Sequence, residues 1–228
     1  MIMQMDKWLA YYAALAKEKF PKANAKQAGT GAAGGLGFAF LTFTNAVLES
    51  GIKIVLEETQ LEEYIKDADL VVTGEGRLDR QTAMGKAPIG MNGMKQEIQV
   101  TGPLGTPVVC EYGIIESSKT AVIEMAGAAG ITLVPDEKKN PLYTTTYGVG
   151  EVIKDAIGKG CRRFIIGIGG SATNDGGIGM LQALGYGFLD KNGNQIPFGA
   201  RGLKVLETIT ETHVLQELKE CRFRIACD

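Results

Sequence analysis

Apolar residues at the start of the chain recur with the period of a helix. Met5, Leu9, Tyr12 and Ala16 fall on one face, Trp8 and Leu15 widen it, and Pro21 ends it. A second, mostly apolar helix is predicted over 38–49, stopped by Gly51. Residues 52–56 read as a strand, 61–67 as a short helix and 69–73 as a buried strand. Past Met91-Asn92-Gly93-Met94 the period changes. Ile98 and Val100 alternate with polar neighbours, Gly102-Pro103-Leu104-Gly105 turns the chain, and strands follow over 108–114 and 120–125. This is an antiparallel meander. The helical period returns at Val149, Val152, Ile153, Ala156 and Ile157, closed by Gly158 and Gly160. A continuous apolar strand over 162–168, a helix over 178–184, a strand over 186–190, a turn at 191–194, a helix near 214–220 and a strand over 222–227 complete the chain. Helices alternating with buried strands, plus one meander, give an α/β fold: a mixed sheet flanked by helices.

Charge excludes one class of partner. The chain carries 24 basic and 26 acidic residues, a net charge of −2, whereas a module that lives on phosphate-backbone contacts shows a basic excess. No nucleic-acid partner is expected. The first residues have no basic run followed by an apolar one, and every apolar stretch is broken well short of the ~18 residues of a membrane span, so no membrane partner is expected either. Four cysteines without CxxC spacing and a single histidine, His213, argue against a zinc site. Sparse cysteines fit a reducing cytoplasm.

Glycine is the compositional outlier, with 31 residues among 228, roughly twice the usual ~7%. Much of the surplus lies in three loops. Residues 29–37 (Gly29-Thr30-Gly31-Ala32-Ala33-Gly34-Gly35-Leu36-Gly37) open a helix. Residues 74–79 (Gly74-Glu75-Gly76-Arg77-Leu78-Asp79) leave one buried strand, and 169–177 (Gly169-Gly170-Ser171-Ala172-Thr173-Asn174-Asp175-Gly176-Gly177) leave another. In open α/β sheets ligands sit beyond the carboxyl ends of strands, where bare N–H groups converge. The hydroxyls of Ser171 and Thr173, the amide of Asn174 and the carboxylate of Asp175 suit phosphate binding, Mg²⁺ contact or proton acceptance. A plain helix cap by Asn174 or Asp175 is the structural alternative. Arg77 and Asp79 read equally as a surface ion pair or as part of a polar substrate site. Gly167-Ile168-Gly169-Gly170-Ser171-Ala172 also fits a dinucleotide fingerprint, with Asp190 where a ribose-binding acid belongs, although the loop to the next helix is long for that role.

At these loops the sequence resembles the bacterial family of ATP-dependent D-glycerate kinases. The matching stretches are 29–37 with its helix, 68–90 (ADLVVTGEGRLDRQTAMGKAPIG), 100–108 (VTGPLGTPV), 119–125 (KTAVIEM), 140–150 (NPLYTTTYGVG) and 160–184 (GCRRFIIGIGGSATNDGGIGMLQAL). The resemblance implies an exchanged order: in the family the part like 95–228 precedes the part like 6–90. It also implies two α/β domains, one inserted in the other, with catalysis in the cleft between them. This chain then corresponds to the inserted domain alone, a single domain over 1–228 closed through 91–94, as an engineered circular permutant or chimera.

What the resemblance implies for function follows from the parent reaction, phosphoryl transfer from Mg-ATP to glycerate. ATP and glycerate are the small-molecule partners. Asp175 is the expected proton acceptor or metal contact and Arg77 the expected substrate or phosphate clamp. Gly169, Gly170, Ser171, Thr173, Asn174, Gly74, Glu75 and Asp79 complete the wall. Without the second domain, little or no activity is expected. The alternatives are an active phosphotransferase whose cleft is rebuilt by oligomerisation, and a dinucleotide-binding module. An apolar face left by the missing domain is expected to give some self-association as a homo-oligomer.

Overall fold

The structure, a computed structural model, describes residues 2–60 and 93–226. The first predicted helix is present as α1 (Ile2–Lys19), which buries Met5, Tyr12 and Ala16. Past its end, Lys17 donates to the carbonyl oxygens of Pro21 (2.8 Å) and Ala23 (2.9 Å), tying down the exit of the helix. α2 (Ala32–Phe43) begins with a reversal, because Ala33, Gly34 and Gly35 take left-handed φ of 51°, 64° and 93°. The regular helix runs from Leu36 onward.

α2 stops six residues earlier than its apolar pattern predicts. Thr44 leaves the helix in an extended conformation, its hydroxyl donates back to Phe40 O (2.7 Å) and then accepts from Ala46 N–H (3.1 Å). A threonine that can satisfy its own neighbours in this way ends helices. The freed residues form β1 (Val47–Glu49). The expected strand at 52–56 is instead α3 (Gly51–Glu58). Apolar residues at every second position over so short a run fit either period, and length alone does not separate them.

β2 (Gly93–Thr101), β3 (Pro107–Ile115) and β4 (Thr120–Glu124) are the predicted meander. A four-residue helix α4 (Ala126–Ala129) and the predicted α5 (Tyr147–Gly158) follow, then β5 (Arg163–Gly167), α6 (Ile178–Ala183) and β6 (Gly187–Leu189). β6 pairs with a strand the sequence pattern did not reveal, β7 (Thr208–Thr210), as a separate two-stranded sheet. The helix expected near 214–220 is a 3₁₀ turn at Gln216–Glu220, leading into β8 (Arg222–Ala226). The predicted helix at 61–67, the strand at 69–73, the loop at 74–79 and the first half of the joint at 91–94 lie outside the described residues.

The main sheet runs β1-β8-β5-β4-β3-β2. β1, β8, β5 and β4 are parallel, whereas β3 and β2 are antiparallel. This is the mixed sheet that the alternation of helices and strands predicts. β5 and β8 share one burial pattern: Phe164, Ile166, Phe223 and Ile225 are buried, and the residues between them are not. On the buried face Phe164 stacks on Phe223 at 4.7 Å, and Phe40 of α2 meets Phe223 at 5.7 Å. Each such ring removed from water contributes about 1.5–3 kcal/mol before entropy is counted. On the same face, toward β2, Tyr112 of β3 donates to Asp155 of α5 (2.5 Å), which also pairs with Lys159 (2.7 Å), and this fixes the helix on the meander.

Candidate functional site

The parallel strands end together at Glu49, Ala226, Gly167 and Glu124. The loop after β5 leaves this end and is held by backbone contacts to the loop after β4. Gly170 O accepts from Ile131 N–H (2.8 Å), and Ala172 N–H donates to Ala129 O (2.9 Å). Gly169 and Gly170 are exposed, and their N–H groups make no hydrogen bond among the described residues.

Two of the three predicted glycine loops meet here. Gly176 N–H donates to Gly34 O at 2.9 Å. A Cβ on Gly34 would lie 2.4 Å from Asn174 Cα and 2.5 Å from Thr173 O, and one on Gly177 would lie 2.5 Å from Ala39 Cβ. Both glycines have left-handed φ, 64° and 75°. Main chain therefore packs directly on main chain, which only glycine permits. From behind, Leu9 and Tyr12 of α1 close on Gly176. The third loop, with Gly74, Glu75, Arg77 and Asp79, lies outside the described residues.

Asp175 is 1% exposed, and its carboxylate is already engaged. It accepts from Thr146 N–H (2.8 Å), the Thr146 hydroxyl (3.0 Å), Gly177 N–H (3.1 Å), Gly179 N–H (3.3 Å) and the Thr145 hydroxyl (3.5 Å). Burial pushes its carboxyl above the ordinary range, and the hydrogen bonds from Thr146, Gly177 and Gly179 pull the other way. The phenol of Tyr12 is raised by its own burial and then by the nearby Asp175 charge. With this many donors around it, Asp175 ties the first turn of α6 to the segment before α5. It offers no open oxygen to a cation, and among the described residues no group of three or more His, Cys, Asp or Glu side chains converges as a metal site.

Ser171 and Thr173 bond to each other at 2.9 Å, and the Ser171 hydroxyl also accepts from Thr173 N–H (3.0 Å), a local turn that shapes the loop. Ser171 and Asn174 are half-buried, whereas Thr173 is buried. The exposed main-chain donors with hydroxyl and amide neighbours fit an anionic group such as a phosphate. They do not supply a metal ligand set.

Thr144, Thr145 and Thr146, which are not among the residues the sequence singles out, hold this loop from the segment before α5. All three are buried. Thr146 holds Asp175, and Thr144 donates to Ala172 O (2.8 Å). The signal was present, since a run of threonines directly before a helix is a capping pattern. Asp190, the candidate ribose acid, instead accepts from Asn192 N–H (2.8 Å) and Asn194 N–H (2.9 Å) and so closes its own turn. The Asn194 and Asn192 N–H bonds hold its carboxyl below the ordinary range.

A family model described as the glycerate kinase family matches residues 1–97 and 91–228. A glycerate 2-kinase of Escherichia coli K12 is 48% identical over 181 residues, covering 79% of this chain and 45% of the relative. A glycerate kinase of Bacillus subtilis 168 is 50% identical over 137 residues, covering 60% of this chain and 36% of the relative. A crystal structure assigned as glycerate kinase 2 of Salmonella typhimurium LT2 aligns with a TM-score of 0.59 at 38% identity, over 81% of this chain and 52% of that one. The chain thus spans about half, or less, of the length of the relatives it matches. Among the described residues no helix is long and apolar enough to cross a membrane.

Proposed function

Since the chain belongs to the glycerate kinase family, we propose that it carries one wall of a phosphoryl-transfer site for ATP and glycerate. The observation that supports this reading is the joining of two glycine loops at the carboxyl end of the parallel strands, with Gly176 N–H on Gly34 O at 2.9 Å. The junction holds one end of the loop at 169–177, in which Gly169 and Gly170 are exposed and their N–H groups, unbonded among the described residues, are available to an anion. Phosphoryl transfer depends chiefly on positioning and charge neutralisation. In this reading Gly169, Gly170, Ser171 and Asn174 receive a phosphate or the glycerate carboxylate. Asp175 is a positioning residue that sets the loop through Thr146, Gly177 and Gly179, in place of the proton-accepting role the family resemblance implies. Arg77, Glu75 and Asp79 remain expected partners on the third loop. ATP supplies the phosphoryl group.

The proposal extends to the arrangement of the chain: a permuted form of one family domain, with 95–228 corresponding to the earlier part and 6–90 to the later part. Two observations support it. The family model matches in two pieces that overlap only at 91–97. Strands from both pieces also share one sheet, with β1 from the first beside β8 from the second, Val47 opposite Arg224. A chain rebuilt as 95–228 followed by 6–90 should show the same circular dichroism and melting temperature. A rebuilt chain that fails to fold sinks the permuted reading.

A single wall cannot exclude water or align both substrates, so turnover should be at background. The test is glycerate-dependent ADP release, measured beside calorimetric binding of ATP. Binding without turnover, weakened in Asn174→Ala, is the expected result. Turnover abolished by Asn174→Ala would show a complete site and overturn the claim of inactivity. Absence of both binding and turnover would overturn the claim that this loop is a phosphate wall.

A further inference from the structure

Among the described residues β2 is the last strand of the main sheet. In an antiparallel ladder alternate residues direct both backbone groups to the same side. Gly102 N–H donates across the hairpin to Thr106 O (2.7 Å), so even-numbered residues face β3. Thr101 N–H turns the other way and is taken by the Glu151 carboxylate at 2.6 Å. Gly93, Lys95, Glu97 and Gln99 therefore direct their N–H and C=O groups to the edge that no described strand pairs, and Glu151 marks where that edge ends. Such a row is a template for another strand.

The occupant follows from charge. Lys95 and Glu97 are 60% and 61% exposed and share the solvent face of the strand, away from buried Tyr112 and Ile114. They do not obstruct the edge itself. Two copies of β2 running antiparallel about a two-fold axis can pair in few registers that use the outward groups. With Glu97 on the axis, or with Lys95 on it, like charges face each other, which destabilises a pair. With Gln96 on the axis, Lys95 of each copy lies opposite Glu97 of the other, so both cross-strand pairs are of opposite sign. The same register places Met94, 55% exposed, opposite half-buried Ile98 on the core-facing side. We infer that β2 pairs with β2 of a second copy in this register, continuing the sheet through a two-fold dimer. The strand contact is small, so the dimer is weak and concentration-dependent.

The full chain should approach twice the mass of one chain as concentration rises in light scattering. Lys95→Glu and Glu97→Lys should each lower the association constant roughly tenfold, because two attractive pairs become repulsive. Mixing the two variants should restore it, since every cross-strand pair is again of opposite sign. Glu97→Pro removes an outward N–H without touching the β3 ladder, and it should leave a folded monomer by circular dichroism. A wild-type monomer at the highest soluble concentration overturns the proposal, as does a dimer that survives Glu97→Pro. Mixing without rescue overturns the register.

Discussion

The same parallel strands end in two differently built surfaces. At their carboxyl ends backbones pack closely, with Gly34 against the main chain of Thr173 and Asn174, Gly177 against the Ala39 methyl and Asp175 among five donors. At their amino ends long charged side chains meet around a cavity of about 640 Å³ that Val47, Thr120, Arg163, Cys221 and Arg222 help to line. Arg162 reaches Glu220 there (3.0 Å), and from midway along β8 Arg224, also on the cavity wall, reaches Glu49 (2.7 Å), Glu57 (2.6 Å) and Glu58. The difference teaches where precision lies. A backbone junction has no rotamers with which to absorb a change, whereas exposed ion pairs re-form around one. The end that cannot adjust is the end that holds the candidate site.

The largest effect should come from Asp175→Ala. Removing the carboxylate leaves the N–H groups of Thr146, Gly177 and Gly179 buried without their acceptor, at a cost of about 3–5 kcal/mol. A chemical melt that loses less than ~1 kcal/mol would mean the carboxylate is not the anchor described. Next is Gly34→Ala. The new Cβ would sit 2.4 Å from Asn174 Cα on a residue with φ of 64°, for about 2–4 kcal/mol from strain and overpacking together. ATP binding should fall with it if the loop junction positions the wall.

The central α/β layout was legible because its signals are redundant. β5 is a continuous apolar run, α5 repeats its apolar residues with one period, and the meander alternates. The errors fell where one local signal had to decide. Ile52, Ile54 and Leu56 fit a strand as well as a helix, and the hydroxyl of Thr44 ended α2 against an apolar pattern that ran on. β7 is three residues long and gains its identity only by pairing with β6. At the site, composition pointed to the glycine loops, but not to their mutual contact. That contact depends on a left-handed Gly34 meeting Asn174 about 140 residues away, a relation no local window carries. Asp175 stood out in the sequence as a carboxylate among glycines, but its engagement by Thr146, about 30 residues earlier, is a contact that no local window carries.

The charged side chains around the cavity should respond weakly. Arg224→Ala removes the cation from among three carboxylates, but the group is about a quarter exposed, and solvent screening limits the loss to about 1 kcal/mol. A loss as large as that of Gly34→Ala would erase the contrast between the two ends. Cys221 at this end gives a pH signature. Burial pushes its thiol to about 11. The folded state therefore holds that proton more tightly than the unfolded chain, and the stability this contributes is present below about pH 9 and lost as pH rises toward 11. Melting temperatures across that window should decline less steeply in Cys221→Ala.

The smallest expected effect sharpens the comparison most, because it lies within the rigid end itself. Gly31 belongs to the same glycine loop as Gly34, yet a Cβ on it would meet nothing within 4 Å, and its φ of −78° is open to any residue. Gly31→Ala should change stability by no more than about 0.5 kcal/mol, and a small gain is expected because alanine restricts the unfolded chain. If composition alone made this loop sensitive, Gly31→Ala and Gly34→Ala would behave alike in the same melt. If the contact with 173–177 makes it sensitive, the two substitutions three residues apart should differ by several kcal/mol.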